Sequence, residues 1–213
     1  MSTRKGQPRD KARQTNTVKP QKLLLIVSEG EVTEVDYFDG LIVYAKNPLV
    51  RIQSIGLGSQ TLRLVPRAKE VFTTIQATAA IEENTDLIPD KVWCVFDKDD
   101  KTDIGEALIM AAANNFSVAF SNPNFEVWLL MHFDNPPGAQ HREQIRKLLC
   151  KHVPGYKKHV DFEDYVAGYQ NVVQRAVAIE KRPDDEEQWQ RNPSSGVFHL
   201  TREIVGRVAQ FQE

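Results

Sequence analysis

Residues 23–31 read Leu23-Leu-Leu-Ile-Val-Ser-Glu-Gly-Glu31, an unbroken apolar run that stops abruptly at an acid and a glycine. A run this short and this uniformly apolar is that of a strand covered on both faces, as in a parallel sheet. The same design returns at Lys91-Val-Trp-Cys-Val-Phe-Asp-Lys-Asp-Asp100, again apolar and again ending in carboxylates. Working outward, Val35, Phe38, Leu41 and Ile42 recur at helical spacing and predict a helix over 32–44. Val50 to Ile55 alternates apolar and polar residues, as a strand nearer the sheet edge does. Gly56-Leu-Gly-Ser59 reads as a turn, followed by a helix over 61–84 and, beyond the second acidic strand end, another over 103–114. Phe116-Ser-Val-Ala-Phe120 is the fourth strand.

Strands alternating with helical segments define an α/β protein with a mainly parallel sheet flanked by helices. After Ser121 the pattern is helical only, over 123–133, 140–152, 161–181 and 194–211, which predicts a helical C-terminal extension. The 161–181 segment carries the clearest stripe (Phe162, Tyr165, Val166, Tyr169, Val172, Val173, Ala176, Val177), with Asp161 and Asp164 as an approximate capping box. A chain of 213 residues is short for two domains, so residues 23–213 are expected to form a single α/β domain with its C-terminal helices at about 123–211.

The composition, 41% hydrophobic and 26% charged, is that of an ordinary globular protein and excludes a disordered class. No stretch approaches the roughly 18 apolar residues of a membrane helix, so no membrane association is expected. Two cysteines, Cys94 and Cys150, lack any Cys/His metal spacing, which excludes a zinc finger and suits a reducing, cytoplasmic setting. The basic N-terminus has no apolar core behind it and does not read as a secretory signal. Residues 1–22 hold seven Lys/Arg (Arg4, Lys5, Arg9, Lys11, Arg13, Lys19, Lys22) against Asp10 alone, in a chain with 27 Lys/Arg and 29 Asp/Glu overall. Such a segment reads as a flexible arm, either a solvated tail or a phosphate-contacting arm.

In an open parallel sheet, the carboxyl ends of the strands face the ligand crevice. Glu29 and the pair Asp97 and Asp99 would therefore converge if their strands are neighbours, with the two aspartates projecting to one side. Carboxylates gathered this way repel unless a cation compensates, and hard oxygen donors suit Mg²⁺ or Mn²⁺.

Three longer stretches carry a resemblance. Leu25-Ile-Val-Ser-Glu-Gly-Glu-Val-Thr-Glu34 with Tyr37-Phe38, then Val92 to Asp100, then Ser121-Asn-Pro-Asn-Phe-Glu-Val-Trp-Leu-Leu-Met-His-Phe133 resemble the RloB-like family. Tyr156-Lys-Lys158 and Asn192-Pro-Ser-Ser195 match in the same order, so the likeness spans roughly 20–210. The Glu-Gly and Asp-x-Asp strand ends also resemble the Toprim fold of topoisomerases, primases and several nucleases. The resemblance implies a metal-dependent nuclease-like protein of bacterial anti-phage loci, often encoded beside an ATPase or with restriction-modification genes. It makes Glu29 the first-strand acid, a metal ligand or general acid/base, and Asp97 and Asp99 the metal ligands. Self-association of the chain is a further expectation.

Other residues carry two readings each. Asn122 followed by Pro123 reads as an N-cap with proline at the first helical position. Glu126 stands among apolar neighbours, where a carboxylate is either a first-turn dipole partner or an additional metal or second-shell ligand. Glu34 belongs to the matched stretch, while Thr33 is placed to cap the first helix. His132 reads as a hydrogen-bonded core histidine before it reads as a catalytic one. Lys157 and Lys158 are either a solvated pair or phosphate contacts, and Lys158 is the basic residue placed with the catalytic acids. The expected chemistry is hydrolysis of a nucleic-acid phosphodiester; the alternative is a non-catalytic nucleic-acid- or protein-binding subunit with a regulatory or vestigial metal site. The chain has no G-x-x-x-x-G-K-[ST] loop and so does not supply ATP hydrolysis by that route; a separately encoded ATPase partner is what the resemblance implies.

Overall fold

The computed structural model describes residues 22–47, 50–56, 61–98, 103–136, 138–183 and 189–206. The basic residues Arg4, Lys5, Arg9, Lys11 and Arg13, and the acid Asp99, lie outside them. Four strands, β1 (Lys22–Ser28), β2 (Val50–Gly56), β3 (Lys91–Asp97) and β4 (Ser117–Asn122), pair in parallel, and β5 (Ser194–Ser195) adds an antiparallel edge. The sheet order is β2-β1-β3-β4-β5, which puts the alternating 50–56 strand at an edge as its pattern predicts. Lys22, counted above with the basic arm, is the first residue of β1 and pairs with Glu203.

Around the sheet run α1 (Thr33–Ala45), α2 (Thr61–Ile81), α3 (Ile104–Ala113), α4 (Glu126–Leu130), α5 (Arg142–His152), α6 (Tyr169–Glu180) and α7 (Val197–Val205). The strand periodicity of two splits the interior into two cores. Leu24, Ile26, Trp93 and Val95 face one, filled by α1, α4, α6 and α7. Leu25, Val27, Val92, Cys94 and Phe96 face the other, closed by α2 and α3.

Helix α1 thus leads from β1 outward to β2 over one face, and α3 leads from β3 outward to β4 over the other. The connections diverge between β1 and β3, which makes this pair the topological switch point where a crevice opens at the carboxyl ends.

Four expectations fail in the C-terminal part. The segment 123–133 forms helix only from Glu126, and Asn122 does not cap it. Asn122 is the last residue of β4, held opposite Ser194, and its side-chain amide donates to the carbonyls of Trp189 and Gln190. The 161–181 stripe begins as two short 3-10 turns, Phe162–Asp164 and Val166–Gly168, and becomes α-helix only at Tyr169. The Tyr165 carbonyl accepts from His132, and Gly168 lies so close to the His132 backbone that a Cβ there would collide with it. Asp161 caps the first of these turns through the Glu163 N–H rather than a long helix.

The C-terminal part is otherwise helical as expected, through α4, α5, α6 and α7, apart from one short strand. Ser194–Ser195 pairs with β4, the Ser121 and Ser195 hydroxyls lie 3.1 Å apart, and α7 starts at Val197.

Candidate functional site

The crevice at the switch point is a cavity of about 370 Å³. Glu29, Gly30 and Asp97 line it from the ends of β1 and β3, Glu31 and Glu34 from the loop after β1 and the first turn of α1, Asn124 and Glu126 from the approach to and start of α4, and Arg142 and Lys158 complete the lining. A larger hollow of about 870 Å³ lies along α1 between Asp39, Tyr44 and Phe162, but no strand-end acid enters it.

Glu29 follows β1 directly, and its backbone N–H donates to the Val95 carbonyl of β3 at 2.9 Å. That bond ties the Glu29 turn to the strand that delivers Asp97 two residues later. Two glycines make the turn possible. A Cβ on Gly30 would run into the Glu34 carboxylate, and one on Gly56, at the end of β2, would meet the backbone of Gly30 and Glu31. Gly56 therefore does more than open the turn the sequence suggests, since it lets the acidic loop settle against the sheet.

Glu34, in the first turn of α1, is buried. Its carboxyl is pushed up to about 7, chiefly by burial and further by the charges of Glu126 and Glu29, against the pull of its own backbone N–H and of Lys158. A carboxyl in that range gains and loses a proton readily at neutral pH. Glu126 is also buried, and its partners are protein donors: Asn124 Nδ2 to Oε2 and the Tyr156 hydroxyl to Oε1 at 3.3 Å. Those bonds answer the desolvation cost that made this acid conspicuous in the sequence.

Thr33 does not cap α1. Its hydroxyl donates to the Lys158 carbonyl at 2.8 Å and lies 3.4 Å from the Tyr156 hydroxyl. Lys158 is held there with φ at 72°, a left-handed conformation that lysine rarely adopts.

The structure thus brings Glu29, Glu34, Asp97, Glu126 and Lys158 to one cavity. Lys157 is exposed beside it, Asn122 belongs to the sheet, and Asp99 with the five arm residues lies outside the described part. His132 takes the core role: it is buried, Nδ1 lies 2.7 Å from the Tyr165 carbonyl and Nε2 3.1 Å from the Tyr37 hydroxyl, and burial pushes it down to about 3.

Sequence reasoning missed Arg142, Asn124 and Tyr156. Arg142 left one clue, a cation in the first turn of a helix, where the dipole disfavours it.

For a metal, the donors on offer are carboxylate oxygens with neither thiol nor imidazole among them, a set that fits Mg²⁺ or Mn²⁺. Among the described residues, no three His, Cys, Asp or Glu side chains already converge as a metal-holding group. Among them, too, no helix is long and apolar enough to cross a membrane.

Fold and site together define an α/β protein whose parallel sheet opens, at its switch point, on an acidic cavity rimmed by two cations. The chain belongs to the RloB-like protein family, whose model matches residues 24–204. No curated protein matches it.

Proposed function

We propose that this cavity hydrolyses nucleic-acid phosphodiesters with the help of a divalent metal, in the manner of Toprim-type nucleases. The observation that carries the reading is that Glu29 and Asp97, from adjacent parallel strands, face one cavity that also holds Glu34, Lys158 and Arg142. Glu29, Asp97 and Asp99 of the same Asp-x-Asp would hold Mg²⁺ or Mn²⁺. Bound there, the ion would polarise the scissile phosphate and neutralise developing charge. The chain's own residues do the rest. Glu29 orients the attacking water, and Glu34, with its proton affinity near neutrality, takes up or returns the proton. Lys158 and Arg142 hold the non-bridging oxygens and oppose the charge of the carboxylates.

We further propose, as the resemblance to the RloB-like family implies, a place in bacterial anti-phage defence, in the cytoplasm and beside a separately encoded ATPase. The second reading is a binding subunit with a regulatory metal site. Glu126 favours it, because both its oxygens are already taken by Asn124 and Tyr156.

One experiment separates them: purified protein with end-labelled DNA and RNA, in Mn²⁺ and in EDTA, with Asp97→Asn alongside. Cleavage in Mn²⁺ alone, lost in the variant, supports the nuclease. Metal-dependent stabilisation with no cleavage of either polymer, with and without the ATPase, supports the binding subunit.

A further inference from the structure

The segment from His141 to Lys158 holds six Lys/Arg and one acid, Glu143, in a chain whose Asp/Glu outnumber its Lys/Arg. Its two ends, Arg142 and Lys158, both line the carboxylate cavity. Between them α5 buries Ile145 and Leu149, with Ile145 packed on Val127 and Leu130 of α4, while Arg146, Lys147 and Lys151 stay exposed, as does Lys157 in the turn beyond. None of these four cations has an ion-pair partner among the described residues. Exposed cations gathered on one element and the turn beyond it give that surface a positive potential suited to a polyanion.

We propose that α5 and the turn after it form a backbone-binding track for a nucleic-acid strand, with Arg146, Lys147, Lys151 and Lys157 meeting the phosphates on either side of the one held in the cavity by Arg142 and Lys158. This inference rests on the reading of the cavity as a phosphodiester site and adds the surface that supplies substrate affinity. Geometry favours a strand over a single small anion. From Arg142 to Lys151 the helix advances about 13 Å at 1.5 Å per residue. That distance spans more than one phosphate of a nucleic-acid backbone. The contacts are to the backbone, so the track confers affinity and register without sequence preference.

The test is fluorescence anisotropy in EDTA, where cleavage cannot intervene, using short fluorescein-labelled single-stranded DNA and RNA over a range of salt. The variant is Arg146→Gln/Lys147→Gln/Lys151→Gln. A matched control, Arg63→Gln/Lys69→Gln/Lys181→Gln, removes the same charge from other exposed positions. Binding by the α5 variant is expected to weaken about tenfold or more, and the slope of log K against log salt to fall by about two, at roughly 0.7 per lost contact. The control is expected to keep both values, and both variants to melt with the wild type.

An unchanged slope in the α5 variant, equal weakening by the control, displacement by polyglutamate as effective as by nucleic acid, or binding that disappears only on removing residues 1–21 would each overturn the track. A normal slope with no cleavage in Mn²⁺ would instead sink the nuclease reading and leave the track standing. Whether DNA or RNA binds more tightly identifies which polymer it serves.

Discussion

The Tyr156 hydroxyl donates to Glu126 Oε1 at 3.3 Å while lying 3.4 Å from the Thr33 hydroxyl, which in turn donates to the Lys158 carbonyl. One buried phenol therefore couples the carboxylate at the start of α4 to the backbone of the cavity's lysine. Tyr156→Phe keeps the ring packing and removes the donor. Leaving the buried Glu126 oxygen short of a partner is expected to cost about 1–3 kcal/mol, read from urea denaturation. If the variant matches wild type, Glu126 does not depend on this bond, and the network does not hold Lys158 in place.

Gly30→Ala and Gly56→Ala separate site from fold. On Gly30 the added Cβ meets the flexible end of Glu34, which can swing aside, whereas on Gly56 it meets the Gly30 and Glu31 backbone, which cannot. Gly30→Ala is expected to stay folded, within about 1 kcal/mol of wild type, and to lose cleavage as Glu34 is displaced. Gly56→Ala is expected to lose more stability, at the upper end of the roughly 1–3 kcal/mol typical of overpacking. A Gly30→Ala protein as active as wild type would remove Glu34 from the chemistry.

The sheet was legible because a strand buried on both faces must be apolar throughout, and 23–28 and 91–96 leave no other reading. Glu29 and Asp97 were legible as strand-end acids. Their adjacency was not, because it depends on β1 and β3 being neighbours, which only the sheet order decides. Ser194–Ser195 is two polar residues long and offers no pattern to read. Asn122-Pro123 fits an N-cap locally, yet the pairing with Ser194 claims Asn122 for β4. Tyr156 was not legible as a site residue, since nothing local shows that a tyrosine at 156 will meet an acid at 126.

Two buried groups give the stability a pH dependence of opposite signs. His132 is pushed down from 6.5 to about 3, so between those values the unfolded chain holds a proton the folded one lacks, and stability rises with pH. Glu34 is pushed up from 4.5 to about 7, so across that window the folded chain holds the extra proton and stability falls as pH rises. Each single-proton slope is about 1.4 kcal/mol per pH unit, and the two oppose each other where the windows overlap. In EDTA, Glu34→Gln is expected to unmask the rising His132 slope between pH 5 and 6 in denaturation curves, and to be more stable than wild type at pH 8. A variant whose curve tracks wild type at every pH would mean that Glu34 is ionised normally in the folded protein.

The metal proposal is tested most sharply at Asp97. Among the described residues that line the cavity, the acids Glu29, Glu31, Glu34, Asp97 and Glu126 outnumber the cations Arg142 and Lys158, so without metal negative charge is in excess there. Removing one charge by Asp97→Asn is therefore expected to leave the melting temperature in EDTA unchanged or slightly raised. In wild type a cation that binds only the folded form adds RT ln(1 + [L]/Kd), about 2.7 kcal/mol at a hundredfold excess over Kd. Asp97→Asn is expected to erase most of that shift together with any cleavage. Thermal melts of both proteins in EDTA, Mg²⁺ and Mn²⁺ read all of this directly. Should Asp97→Asn melt far below wild type in EDTA, Asp97 is holding the end of β3 through hydrogen bonds. The acid would then belong to the fold, and Glu29 and Asp99 would be left as the strand-end metal donors.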